Sequence, residues 1–159
     1  MPWGLKRFHE SGQTHFVTFS CYRRHCLLMT AASKRTFESA LERVRRSFGF
    51  SVYGYNVMPE HVHLLIGEVE HFWQKRYYDF NIRNRRQFVE KLKYIHRNPV
   101  KRGLCERPED WEWSSFSQYA TGCEGCVEIE SEWTARARER AAGRLCPAVQ
   151  RPHSSQPQA

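Results

Sequence analysis

The stretch "MPEHVHLLI", residues 58–66, decides how the chain is read. Its aliphatic run marks a buried strand, and Pro59 and Glu60 before it make a corner. On a strand, successive side chains turn to opposite faces, so His61 and His63 share one face and Val62 takes the other. Two imidazoles side by side can hold a divalent metal; they can equally be two unrelated histidines. The flanking sequence has to separate these readings.

Upstream, "HFVTFSCY" (15–22) alternates and is rich in β-branched and aromatic residues, which predicts a first strand. Phe37, Leu41, Val44 and Phe48 then recur at helical spacing, with Gly49 as a stop. "SVYGYNVM" (51–58) predicts a second strand and "HVHLLIGEV" (61–69) the third. Downstream, "FWQKRYYDFNI" (72–82) predicts a fourth strand. In "NRRQFVEKLKYIHRNP" (84–99), Phe88, Leu92 and Ile95 form the apolar stripe of a second helix that Pro99 ends. "DWEWSSFSQYAT" predicts a short helix or coil that packs its tryptophans on the body. The order of elements predicts an α+β, ferredoxin-like sandwich, an antiparallel sheet with helices on one face. One helix, between the third and fourth strands, is missing from that pattern, because "GEVEH" alone separates Ile66 from Phe72. A missing helix would uncover apolar surface, which the chain after Trp133 or a second copy is expected to cover, so the protein is expected as a monomer or a homodimer. Residues 1–133 are read as one catalytic domain and 134–159 as a frayed helix and disordered tail.

The formal net charge is +8, which points to a polyanionic partner, most simply nucleic acid. The charge is concentrated: residues 71–104 carry ten Lys/Arg against Asp79 and Glu90, whereas residues 105–133 carry only Arg107 against eight acids. No apolar run approaches the roughly 20 residues of a membrane span, and the N-terminus has no apolar signal region. The six cysteines are therefore expected as reduced thiols in a cytosol. Cys123 and Cys126 form a C-x-x-C, but no second pair completes a zinc site. A zinc nucleobase deaminase is excluded, because Glu60 precedes the histidine instead of following it and Gly122, not proline, precedes Cys123.

On the second helix, Tyr94 and Asn98 are four apart and share a face beside the apolar stripe, with Lys91 on the same flank. A phenol and an amide oxygen could converge there on a metal held by His61 and His63. Two imidazoles, one carbonyl oxygen and open positions suit Mg²⁺ or Mn²⁺. A phenol is a weak nucleophile, and a divalent ion beside a phosphate would offset charge in its transition state.

"VMPEHVHLLI", "FWQKRYYDFNIR", "KYIHRNPVKRGL" and "DWEWSSF" together closely resemble the single-tyrosine HUH transposases, in particular the REP-associated tyrosine transposases. The resemblance runs from about His15 to Tyr119. It implies a ferredoxin-like fold and places the HUH pair on His61 and His63, the nucleophile on Tyr94 and the third metal ligand on Asn98. It further implies Mg²⁺- or Mn²⁺-dependent cutting of hairpin-bearing single-stranded DNA, with the 5′ phosphate left on the tyrosine and a 3′ hydroxyl released. A bacterial, nucleoid-associated cytoplasmic protein is expected on that basis. The contrasting expectation is a transposase relative that grips DNA without cutting it well, and the short connection after the third strand favours it. Tyr77 and Tyr78 compete with Tyr94 for the nucleophile, although one of them should point into the core. Lys75, Arg76, Arg83, Arg85 and Arg86 are interleaved with aromatics in a pattern that suits single-stranded nucleic acid, Lys91 on the second helix is a further DNA-binding candidate, and Arg23 and Arg24 are candidate phosphate contacts.

Overall fold

In the computed structural model of the chain, residues 14–67 and 78–131, with Thr134, Arg140 and Ala141, are described. The elements run β1 (Thr14–Ser20), α1 (Ala31–Phe48), β2 (Val52–Val57), β3 (His61–Ile66), β4 (Tyr78–Ile82), α2 (Arg85–Lys101) and α3 (Phe116–Thr121). Short 3-10 turns lie at Tyr22–Arg24 and Pro108–Asp110. The strands form one antiparallel sheet in the order β2-β3-β1-β4, the ferredoxin-like arrangement expected from the order of elements. The segment expected to lack a helix, with Lys75, Arg76 and Tyr77, lies outside the described residues, as does most of the chain after 131.

The helices do not share a face, which corrects the expectation. Val17, Val57, Val62, Leu64 and Ile66 pack with Leu41 of α1, together with Val127 and Ile129. Phe16, Leu65 and Ile82 pack with Ile95 of α2. Adjacent residues of one strand fall in different clusters, so the two helices cover opposite faces. The reason is in the strands: β1 and β3 are apolar at consecutive positions, and both faces need cover.

Local chemistry sets the helix ends. Thr30 caps α1 by accepting the backbone N–H of Ser33, and Gly49 closes it in the left-handed region at φ 69°. Phe48, read as the last residue of the apolar stripe, is 60% exposed, whereas Leu41 of the same stripe is buried in the core. Asn84 caps α2 by accepting from the N–H of Gln87.

Pro99 does not end α2, which runs two residues further to Lys101. Proline has no N–H to give the carbonyl four residues back. That carbonyl, Ile95 O, instead accepts from the buried Asn56 amide of β2 at 3.1 Å. The side-chain bond replaces the missing helical one and ties α2 to the sheet. The approach is close: a Cβ on Gly54 would lie 2.6 Å from Leu92 Cδ1. After α2, Trp111 and Trp113 pack edge-to-face at 5.4 Å, and the buried Lys34 ammonium sits 4.4 Å from the Trp113 ring centre.

Candidate functional site

The α2 side of the sheet carries the two histidines. In the β1–β3 register, Thr18 lies opposite His63. Its hydroxyl is 2.7 Å from His63 Nδ1. His61 Nδ1 is 3.0 Å from Glu60 Oε1. Each ring thus has its Nδ1 engaged from behind. The two Nε2 atoms turn toward each other, 2.9 Å apart. Asn98, from α2, brings its amide to 2.6 Å from His63 Nε2. A half-turn of that amide would place Oδ1 where Nδ2 stands, since the two ends are interchangeable in shape. All three side chains are buried.

Tyr94, one helical turn before Asn98, packs edge-on to His63 with ring centres 5.3 Å apart, and it is 42% exposed. Lys91, a further turn up, holds its ammonium 4.7 Å from the Phe16 ring and 4.8 Å from the Phe80 ring. These positions follow from α2 lying across the histidine face: residues three and four apart on one helix flank reach the same strip of sheet.

Electrostatics keep the imidazoles neutral. Burial drives His63 down to about 3, helped by the positive charges of Lys91 and Arg102 and by His61. Burial also lowers His61, although Glu60 opposes it. Burial raises Glu60, but the Arg102 hydrogen bond and nearby positive charge outweigh it, and the net shift is downward. Neutral rings with Nε2 open are the form in which histidine binds metals.

The donor set fits a small divalent ion. Two atoms bound to one ion at about 2.1 Å and at right angles stand about 3 Å apart, the spacing of the two Nε2 atoms. An amide oxygen from Asn98 would complete a nitrogen–nitrogen–oxygen set. Among the described residues no group of three or more His, Cys, Asp and Glu side chains could hold a metal. The third polar group here is an amide, and Glu60 is spent on the far side of His61. Cys123 and Cys126 are exposed free thiols.

The structure brings His61, His63, Asn98, Tyr94 and Lys91 together. Arg24 reaches the edge of this cluster by a 3.4 Å contact to Glu60. Arg23 instead lies over the Tyr22 ring, 5.2 Å from its centre. Arg85 and Arg86 are exposed at the opposite end of α2, with Arg83 just before it. Thirteen residues at about 1.5 Å each put Arg85 about 20 Å from Asn98 along the helix. Arg86 is paired with Glu90 at 2.9 Å. Lys75 and Arg76 lie outside the described residues. Sequence reasoning missed Thr18, Glu60 and Arg102. Glu60 had a signal in its adjacency to the histidine pair. Thr18 and Arg102 had none without the strand register and the helix placement.

Residues 9–70 match the family described as Transposase IS200 like. The REP-associated tyrosine transposase of Escherichia coli K12 is 26% identical over 134 residues, which cover 70% of this chain and 81% of that protein. The solved structure of a REP-associated tyrosine transposase bound to a REP hairpin superposes with a TM-score of 0.62 at 25% identity, covering 80% of this chain and 92% of that one. Among the described residues no helix is long and apolar enough to cross a membrane. By sequence and by fold, this chain is similar to the REP-associated tyrosine transposases, and its residues 9–70 match the model of the IS200-like transposases.

Proposed function

We propose that the protein is a DNA strand transferase that cuts hairpin-bearing single-stranded DNA through a tyrosine–phosphate intermediate, with Mg²⁺ or Mn²⁺ as cofactor. The observation that carries this reading is the convergence of His61 Nε2, His63 Nε2 and the Asn98 amide beside the ring of Tyr94. His61, His63 and Asn98 would hold the ion. When bound, the ion supplies charge neutralisation at the phosphoryl oxygens.

The remaining chemistry belongs to the chain. Tyr94 Oη attacks the phosphorus, its proton passing to water at the exposed edge of the site. A Tyr–O–P bond forms and the bond from phosphorus to the 3′ oxygen breaks. That oxygen takes a proton and leaves as a 3′ hydroxyl, and the 5′ phosphate stays on Tyr94. The phosphodiester energy is thereby kept for rejoining. Lys91 and Arg102 add positive charge near the incoming phosphate. A hairpin partner is supported by the relative solved with a REP hairpin, and the basic stretch from Arg83 to Arg102 gives such a partner a complementary surface.

Covalent trapping tests the reading. The parent protein, mixed with a labelled REP-like hairpin oligonucleotide and Mn²⁺, is expected to give an adduct that survives denaturing electrophoresis. Tyr94→Phe keeps the ring and removes only the hydroxyl, so it should bind the hairpin and give no adduct. An undiminished adduct would move the nucleophile elsewhere, with Tyr77 and Tyr78 next in line. Binding without any adduct from the parent would identify a DNA-binding relative that has lost cutting.

A further inference from the structure

Glu60 stands where three separate parts of the chain meet. It lies at the corner before β3, and its side chain is 8% exposed. A single oxygen, Oε1, accepts from Arg102 Nη2 at 2.6 Å and from Arg24 Nη2 at 3.4 Å, and is 3.0 Å from His61 Nδ1. Arg102 is the C-terminal cap of α2, the helix that carries Tyr94 and Asn98. Arg24 belongs to the turn after β1, where Arg23 and Arg24 both adopt left-handed backbone, at φ 51° and 56°. That turn is bonded to the corner by Cys21 N–H to Glu60 O at 2.8 Å and Leu28 N–H to Pro59 O at 2.9 Å. Two adjacent non-glycine residues in this conformation persist only where the surroundings hold them.

A carboxylate accepting from His61 Nδ1 selects one tautomer: the proton sits on Nδ1 and the lone pair of Nε2 faces the site. Carboxylates behind ligating histidines orient the ring in this way. The same oxygen anchors the guanidinium at the end of α2. The histidine strand and the tyrosine helix are therefore referenced to one atom.

We propose that Glu60 is a positioning residue with two tasks: it fixes His61 with Nε2 open toward the site, and through Arg102 it holds the Tyr94–Asn98 helix in register with the histidine pair. The inference rests on the metal reading of His61 and His63 above. Arg24, the longest and most exposed of the three contacts, steadies the turn and is not needed for either task.

Two measurements test it. In metal-free protein, long-range ¹H–¹⁵N spectra should show His61 as the Nδ1–H tautomer, and Glu60→Ala should convert it to a mixture. In Mn²⁺ titration calorimetry, His61→Ala should abolish binding. Glu60→Gln, which keeps size and a neutral acceptor, should weaken it about tenfold, and Glu60→Ala should weaken it further, within the roughly 10–100-fold range of such outer partners. Arg102→Gln leaves the His61 contact but releases the helix end that aligns Asn98, so it should weaken Mn²⁺ binding less than Glu60→Ala does while slowing adduct formation about tenfold. If His61→Ala binds Mn²⁺ as the parent does, the metal reading falls and this inference with it. If His61→Ala loses binding but Glu60→Gln and Glu60→Ala both stay within twofold of the parent, only the role of Glu60 falls. A parent His61 in the Nε2–H tautomer overturns it as well, and an unchanged adduct rate in Arg102→Gln overturns the link to α2.

Discussion

On the α1 side of the sheet, Val17, Val62 and Leu64 are sealed beneath Leu41, with Val127 and Ile129 closing the layer. One residue along the same strands, the α2 side presents Phe16, Thr18, His61, His63 and Asn56. The two sides are equally buried: Leu64 is 2% exposed and His63 3%. They differ in what burial demands. An apolar side chain needs only close neighbours, whereas a buried polar atom must find a partner or cost free energy. Thr18 and Glu60 meet that demand for the Nδ1 atoms, and the Nε2 atoms are left facing one another.

Each side also has one buried carboxylate bonded by two guanidinium groups, and the pair repeats the contrast. Glu42, near the end of α1, accepts from Arg45 at 2.8 Å and Arg46 at 2.7 Å, and takes the N–H of Glu128 at 3.0 Å. It pins the segment that supplies Val127 and Ile129 to the core. Glu60 takes Arg102 and Arg24 and spends its remaining contact on His61. One carboxylate holds structure to structure; the other holds structure to the candidate site.

The comparison can be broken at several points. The largest effect is expected from His63→Ala, which removes an open nitrogen from the α2 side. Hairpin cleavage should fall by roughly a hundredfold or more, since a ligand matters more than outer partners worth about 10–100-fold. Excess EDTA should do the same to the parent, and added Mn²⁺ should restore only the chelated parent. Cleavage that continues in excess EDTA would remove the metal from the account.

Leu41→Ala probes the opposite side. It should cost about 2–4 kcal/mol of stability in urea unfolding. The adduct rate per folded molecule should stay within about twofold of the parent. A large drop in that rate at full folding would show that the two sides are coupled through the strands.

Glu42→Gln sharpens the contrast through pH. The Arg45 hydrogen bond, then the Glu128 N–H and Arg46, hold the Glu42 carboxyl at about 2 against an ordinary 4.5, although burial opposes them. A depressed folded-state value contributes stability above pH 4.5 and loses it as pH falls toward about 2. The parent should therefore be more stable than Glu42→Gln at pH 7, and unfolding curves should converge across that acid range. A gap that persists unchanged to pH 2 would mean the charge is not what Glu42 contributes. The smallest effect is expected at Cys123 and Cys126. Both are exposed, so serine at either should leave stability within about 0.5 kcal/mol and cleavage unchanged. Stoichiometric bound zinc would contradict this.

Much of this molecule is legible along the chain itself. Alternation located β1, an aliphatic run marked β3, and the order of elements implied the ferredoxin-like sheet that the chain adopts. Gly49 stops α1 as its conformational freedom requires. The placement of His61 and His63 on one face, and of Tyr94 and Asn98 on one flank of α2, follows from backbone geometry alone. These are local properties, set by residues within a few positions of one another. What the tertiary structure decided involves groups far apart in sequence. The pairing of β1 with β3 brings Thr18 to His63, and the bond from Asn56 to Ile95 O carries α2 through Pro99. The docking of α2 on the face opposite α1 brings Asn98 to His63 and Arg102 to Glu60. No local pattern encodes which face a helix will cover when both faces of a strand are apolar. That choice is made by the packing of the whole sheet, and here it decides which strand residues form the core and which form the site.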